Sequence, residues 1–112
     1  MLPKRQRLTK QMIETLFGNA RRIKTSRFLV SCAVLDIKNP CISMVVSKKH
    51  AKSAVLRNRL RRKGYAAVAP LVPKIKPHMG ILVNFNDGNP DFANADMTAD
   101  LDNAFKKAGL YQ

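Results

Sequence analysis

Apolar positions recur at helical spacing in three parts of the chain, which predicts three helices. Thr9 is a suitable N-cap for the first, because its hydroxyl can accept from a free amide of the opening turn, and Gly18 is expected to stop that helix. Pro70 and Pro73 are expected to end the second. The predicted ranges are 10–17, 51–68 and 96–108. The core-facing residues are predicted to be Met12, Ile13, Leu16 and Phe17 in the first helix, and Met97, Leu101, Ala104, Phe105 and Ala108 in the third.

Short runs of apolar and β-branched residues predict the strands. Residues 27–35 and 41–47 flank a turn-forming stretch, so a meander hairpin is the simple interpretation. Residues 81–85 suit a buried core strand, and residues 20–25 give weak support for another. This order of elements predicts an α+β fold in which a small central sheet packs against helices. At 112 residues the chain is expected to form one domain.

The second predicted helix is basic as well as amphipathic. Between Ser47 and Lys63 the sequence has eight lysines or arginines and no acid. Leu56, Leu60 and Ala67 share one face of the helix. The charged residues form two rows, one of Lys52, Arg59, Arg62 and Lys63 and one of Arg57 and Arg61. Such a helix can pack through its narrow apolar stripe and present a fixed basic surface to a polyanion.

Charge is distributed unevenly along the chain. The formal net charge is +14, and residues up to Asn86 include nineteen lysines or arginines against two acids. A field this positive on a small domain indicates nucleic acid or an anionic membrane as the partner. No apolar run approaches the roughly 20 residues that span a bilayer, and no signal peptide is recognisable, so a cytoplasmic protein is expected. Cys32 and Cys41 are then expected to be free thiols.

The sequence offers no recognisable catalytic constellation. A protein-only nuclease needs metal-binding carboxylates or a positioned acid–base pair, and the basic region has only Glu14 and Asp36, in different predicted elements. The aspartates between residues 87 and 102 are explained by loop solvation and helix capping. No zinc or helix-turn-helix pattern occurs, and the few aromatic residues cannot form a dense stacking platform. The residues therefore indicate a binding module for structured RNA.

Three blocks, in this order, resemble the protein subunit of bacterial ribonuclease P. The first is LPKRQRLTK at residues 2–10. The second combines VSKK at 46–49 with AVLRNRLRR at 54–62, and is similar to the RNR motif of that family. The third is residues 101–111, which end in FKKAGLY. The middle block is the specific one, because basic helices are common but Ser-Lys-Lys followed by Ala-Val-x-Arg-Asn-Arg is not.

The resemblance implies an α-β-β-β-α-β-α order in which the basic helix joins parallel strands by a left-handed crossover. It implies one RNA-binding domain over residues 1–112, acting as a subunit of the ribonucleoprotein endonuclease that removes the 5′ leader of precursor tRNA. In that family the RNA subunit and its Mg²⁺ carry the catalysis, so no catalytic residue, cofactor or metal site is expected in the protein. The implied partners are ribonuclease P RNA and precursor tRNA, without a membrane, and the protein is expected to be monomeric outside the complex.

The resemblance also assigns roles to individual residues. The RNA-binding residues it implies are Arg5, Arg7, Lys48, Lys49, Lys52, Arg57, Asn58, Arg59, Arg61 and Arg62. The residues it places around the leader cleft are Ile13, Phe17 and Phe28. From the residues alone, a position in the core is the alternative for both aromatic side chains. The chain departs from the family pattern at Lys63-Gly64-Tyr65, which carries fewer charges and a glycine that costs a helix about 1 kcal/mol relative to alanine. It also has Ser31 where the family often has an aromatic residue.

Two other hypotheses fit parts of the sequence. A small ribosomal or general structured-RNA-binding protein, without association with a nuclease, would account equally well for the charge. A self-sufficient nuclease has no residue constellation to support it. The order of the three motifs favours the ribonuclease P subunit over both.

Overall fold

The computed structural model describes residues 7–25, 27–49, 51–86 and 94–112, with the side chains in these ranges other than those at 17, 19, 94 and 95. The helices and strands occur in the order α1-β1-β2-β3-α2-β4-α3, which confirms the predicted succession. Their bounds are α1 Lys10–Asn19, β1 Arg21–Lys24, β2 Phe28–Val34, β3 Cys41–Val45, α2 Ala54–Val68, β4 Met79–Phe85 and α3 Asn94–Ala108. A 3₁₀ helix, Ala69–Lys74, lies between α2 and β4.

The four strands form one mixed sheet in the order β1-β2-β4-β3. β2 pairs antiparallel with β1 and with β4, whereas β3 pairs parallel with β4. The predicted meander hairpin is therefore wrong, because β4 lies between β2 and β3. All residues of β4 other than Asn84 are buried. A strand that is buried on both faces belongs at the centre of a sheet. The left-handedness of the β3-α2-β4 crossover stays a prediction.

Alternation of side chains along the strands creates two hydrophobic clusters, one on each face of the sheet. The larger lies under α2 and α3 and includes Phe28, Val30 and Ile42. The smaller lies under α1 and is built around Leu16 and Leu82. The predicted core face of α3 is confirmed, since all five of its residues are buried: Met97, Leu101, Ala104, Phe105 and Ala108. In α1, Leu16 is buried, while Met12 and Ile13 are half-buried.

The first helix begins as predicted but ends later. Thr9 caps it, since its Oγ1 accepts the Met12 N–H at 3.2 Å. Gly18 does not stop the helix, which continues to Asn19 and leaves through an extended residue, Ala20. The glycine is thus an ordinary helical position and not a C-terminal cap.

The second helix begins later than predicted, at Ala54. Ser53 caps it by accepting the Leu56 N–H on Oγ at 3.4 Å. Lys52 therefore precedes the helix and does not belong to its basic row. The helix ends before Pro70, as predicted, and the chain continues as the 3₁₀ helix. Among the described residues, no helix is long and apolar enough to cross a bilayer.

Strand bounds differ modestly from the predictions. The weakly supported strand is present as β1. β4 begins two residues early, because Met79 and Gly80 pair with Val34 and Ala33 of β2. Cys32 and Cys41 are free, as expected, and lie in different clusters on opposite faces of the sheet. Burial raises the pKa of both thiols.

The C-terminus is fastened to the domain by Tyr111. It forms a β-bridge with Ile75, and its hydroxyl donates to Asp102 Oδ1 at 2.6 Å. Asp102 also pairs with Lys106 at 3.1 Å. The hydrogen bonds from Tyr111 and Lys106 lower the pKa of the Asp102 carboxyl.

Gly64 lets α2 approach the sheet closely. A Cβ at this position would lie 3.0 Å from Phe85 Cζ and 3.1 Å from Met44 Sδ. The glycine is buried, as are its helix neighbours Leu60 and Tyr65. The glycine, although unfavourable for the helix itself, therefore serves packing between the helix and the sheet.

We expect Gly64→Ala to leave the domain less stable than Gly18→Ala by about 1–3 kcal/mol, the usual cost of overpacking. Both changes add a methyl group to a helix, but at Gly18 no atom of the described residues outside the local helix lies within 4 Å of the new carbon. Urea unfolding of the two variants measures the difference. Equal stabilities would show that Met44 and Phe85 move aside without cost.

Candidate nucleic-acid interface

The outer side of α2 and the segment before it form a strongly basic surface. Its residues are Lys48, Lys49, Lys52, Arg57, Asn58, Arg59, Arg61 and Arg62, and we call it the basic surface. Arg57 and Arg61 are half-buried, and the others are exposed. The sequence between Ser47 and Lys63 contains no acid to neutralise it. A cluster of cations carried by a helix attracts phosphate groups.

Arg57 holds the segment that leads into α2. Its Nη1 donates to the carbonyl oxygens of Ala51 and Lys52, at 3.0 and 2.9 Å. The Ala51 N–H in turn donates to the Ser47 carbonyl at 3.1 Å, and the Ala51 side chain is buried. Arg57 thus fixes the position of the backbone at Lys52 in addition to contributing its own charge.

Arg61 is oriented by Asn58, one helical turn earlier, since its Nη2 donates to the Asn58 Oδ1. The two side chains line a cavity of about 550 Å³, the basic groove, whose walls are Arg7, Asn58, Arg61, Arg62 and Tyr65. Arg7 comes from the N-terminal sequence block and the other residues from α2. The fold therefore brings residues from two separate blocks of the predicted RNA-binding set to one groove.

A second cavity, of about 520 Å³, lies between the start of α1 and the outer edge of β3. Its walls are Arg7, Leu8, Thr9, Ile13, Ser43, Met44, Val45 and Tyr65, and we call it the edge cavity. It adjoins the basic groove, because Arg7 and Tyr65 line both. Two hydrogen bonds close the β3 edge here: the Leu8 N–H donates to Ser43 Oγ at 2.9 Å, and the Met44 N–H donates to the Tyr65 hydroxyl at 3.2 Å.

From the edge cavity a row of residues crosses the sheet on the face that carries α1. Val45 is in register with Asn84, Asn84 with Leu29, and Leu29 with Lys24. The first three are half-buried and Lys24 is exposed. The cross-sheet row therefore offers an apolar and amide surface that ends in a cation.

Phe28 does not belong to this face. Its ring is fully buried and packs edge-on against Phe85, with the ring centroids 5.1 Å apart. It lies in the cluster under α2 and α3, whereas Ile13 packs against the cluster under α1. The structure thus contradicts the placement of Phe28 beside a leader cleft with Ile13, because alternation along β2 turns its neighbour Leu29 to that face instead.

Two predicted residues cannot be placed. Arg5 lies outside the described residues, and so does the side chain of Phe17. The other predicted RNA-binding residues lie on the basic surface or, in the case of Arg7, in the basic groove. Ser31 is buried on the α1 face of the sheet, in register with Leu82 of β4.

The sequence reasoning missed Tyr65 and the cross-sheet row. The row could have been found from the alternation of side chains along β2. Phe28, Val30 and Cys32 point to the larger core, so the residues between them must face the other side of the sheet. The contact of Tyr65 with Met44 had no local signal, because it depends on how closely α2 packs on the sheet.

The basic groove is unsuited to a divalent cation. Its oxygen-bearing side chains are the amide of Asn58 and the hydroxyl of Tyr65, beside three arginines, whereas Mg²⁺ prefers carboxylate and phosphate oxygens. Within the described ranges no group of three His, Cys, Asp or Glu residues could hold a metal ion. Asp87 and Asp91 lie outside those ranges.

A basic crossover helix beside a mixed four-stranded sheet, with cavities at the edge of that sheet, defines an α+β domain of the ribonuclease P protein type. The family model of ribonuclease P matches residues 2–109, and the chain belongs to this family. No individually curated protein sequence matches the chain.

Solved structures show the same fold. The chain is similar to the ribonuclease P protein of Staphylococcus aureus, with a TM-score of 0.80 and 19% identity over 96% of this chain and 98% of that one. It is also similar to the ribonuclease P protein of Thermotoga maritima, with a TM-score of 0.77 and 18% identity over 90% of this chain and 96% of that one. The fold is thus shared although four of five residues differ.

We expect Arg57→Lys to lower the free energy of unfolding by about 1 kcal/mol, because a lysine ammonium is a poorer match than the planar guanidinium for the two carbonyls that Arg57 contacts. Arg59→Lys, at an exposed position, should change it by less than about 0.5 kcal/mol. Both variants keep the charge, so urea unfolding separates positioning from electrostatics. Indistinguishable midpoints for the two variants would argue against a positioning role for Arg57.

Proposed function

We propose that this protein binds ribonuclease P RNA through the basic surface and groove, and the 5′ leader of precursor tRNA through the edge cavity and the cross-sheet row. It would thereby assist removal of the leader. The observation that carries the proposal is the convergence of Arg7 with Asn58, Arg61 and Arg62 in one groove. These residues come from the two most basic sequence blocks of a chain that belongs to the ribonuclease P family.

The basic surface has the properties needed to dock on folded RNA. Structured RNA is recognised mainly through its shape and its phosphates, which calls for cations at fixed separations. Arg57 and Asn58 supply that fixity by holding the segment before the helix and the guanidinium of Arg61. Each neutralised phosphate releases counterions, so the affinity should fall steeply with salt.

The α1 face suits a single strand better than a duplex. Ile13, Val45 and Leu29 are half-buried and give an apolar floor on which unpaired bases can pack. The Asn84 amide can donate to and accept from base edges, and Lys24 at the end of the row can neutralise a phosphate. An extended leader would meet apolar, amide and cationic groups in succession along this row.

In this proposal catalysis resides in the RNA subunit together with its Mg²⁺, which would polarise the scissile phosphate and activate water. The residues of the protein bind and orient the two RNAs. We infer from these partners that the protein works in the cytoplasm, as a monomer until it joins the RNA. No membrane has a part in this assembly.

Reconstitution tests the proposal. Mixed with a bacterial ribonuclease P RNA, the protein should restore cleavage of precursor tRNA at low Mg²⁺ concentrations at which the RNA alone is inactive. The protein alone should cleave nothing. Tight binding to ribosomal RNA without any stimulation of cleavage would favour the alternative of a ribosomal or general RNA-binding protein.

Arg59→Ala and Arg62→Ala should each weaken binding to ribonuclease P RNA and reduce the slope of log affinity against log salt concentration by about 0.7–0.9. Each removes one exposed cation from the basic surface. Filter binding over a range of salt concentrations measures the slope.

Lys107→Ala is the matched control, since it removes one exposed cation from the last turn of α3. It should leave the slope unchanged. Should all three variants give the slope of the parent protein, Arg59 and Arg62 would not contact phosphates.

A further inference from the structure

Tyr65 occupies an unusual position for a residue of the basic helix. Its side chain is 5% exposed, and its hydroxyl accepts the Met44 N–H at 3.2 Å. β3 is an edge strand of the sheet, with β4 as its neighbour. A side chain of α2 therefore provides the hydrogen-bond acceptor for a backbone N–H on the edge strand β3.

The same ring lies between the two proposed RNA sites. It lines the basic groove together with Arg61 and Arg62, and it lines the edge cavity together with Met44 and Val45. Its partner in the edge cavity, Met44, is directly followed by Val45, which begins the cross-sheet row. A shift of the Met44 backbone would therefore move the floor of the proposed leader site.

We infer that Tyr65 is a positioning residue that couples the RNA-docking helix to the leader site. It does so by holding the β3 edge at Met44, and the inference rests on the proposed function. Tyr65 touches no reacting group in this account. The close approach at Gly64 makes the coupling possible, because it brings this part of α2 against Met44 and Phe85. Gly64 and Tyr65, which belong to the stretch that departs from the family pattern, thus contribute to leader binding in this proposal.

Tyr65→Phe tests the inference, since it keeps the ring and removes only the acceptor for the Met44 N–H. The measurement is the affinity of the reconstituted holoenzyme for precursor tRNA with a long leader, divided by its affinity for the same tRNA with a single-nucleotide leader. We expect this ratio to fall about fivefold, the change typical of one lost hydrogen bond. A variant that was merely less stable would lower both affinities alike and leave the ratio unchanged.

Tyr111→Phe is the matched control. It also removes a hydrogen-bonded phenol hydroxyl, in this case the one that donates to Asp102. This substitution should not change the ratio. An unchanged ratio in Tyr65→Phe, or an equal fall in both variants, would overturn the inference. Were Tyr65→Phe to fail to fold, the parent protein would still test the hydrogen bond: its Met44 amide should be protected from exchange with solvent, and rapid exchange there would overturn the inference.

Failure of the proposed function would look different. In that case the parent protein itself would not favour the long leader. The hydrogen bond can still be tested in the free protein, where the Met44 amide should exchange with solvent faster in Tyr65→Phe than in Tyr111→Phe. Equal exchange rates would show that Tyr65 does not hold the β3 edge.

Discussion

Parallel pairing of β3 with β4 is the constraint on which the rest of this molecule depends. Parallel neighbours cannot be joined by a tight turn, so the chain between them must cross from one end of the sheet to the other. In this protein the connection is α2 and the 3₁₀ helix, and the most basic sequence of the chain lies on that connection. The pairing that closes the core therefore also decides where the cations are displayed.

The two faces of the sheet are covered to different extents. One face is buried under α2 and α3 and holds most of the core, including Phe28 and Phe85. The other is covered only in part by α1, so that Leu29, Asn84 and Val45 stay half-buried. Because β4 is central and apolar on both sides, it separates these faces while supporting each. In the proposed function, docking on RNA and contact with a leader would thus use adjoining surfaces of one small domain, which meet at Arg7 and Tyr65.

Much of this arrangement follows from sequence patterns. Local properties were predicted at the positions where the structure has them. They are the apolar periodicity of α3, the Thr9 cap and the basic character of α2. The strand order was not accessible in this way, because adjacent strands in sequence suggested a hairpin and only tertiary packing inserts β4 between them. The same limit explains Phe28, whose side of the sheet depends on the register, and Tyr65, whose partner Met44 belongs to another element.

The two hydrogen bonds from Arg57 to the backbone at Ala51 and Lys52 have a consequence for the thermodynamics of assembly. A basic segment that becomes ordered only on contact with RNA loses conformational entropy when it binds. Its affinity is therefore lower than that of an already ordered segment with the same number of cations. Here that entropy is lost when the domain folds, with the core compensating for it. The affinity for a polyanion would then not be reduced by this ordering cost, because the two hydrogen bonds from Arg57 help to shift it to the folding step.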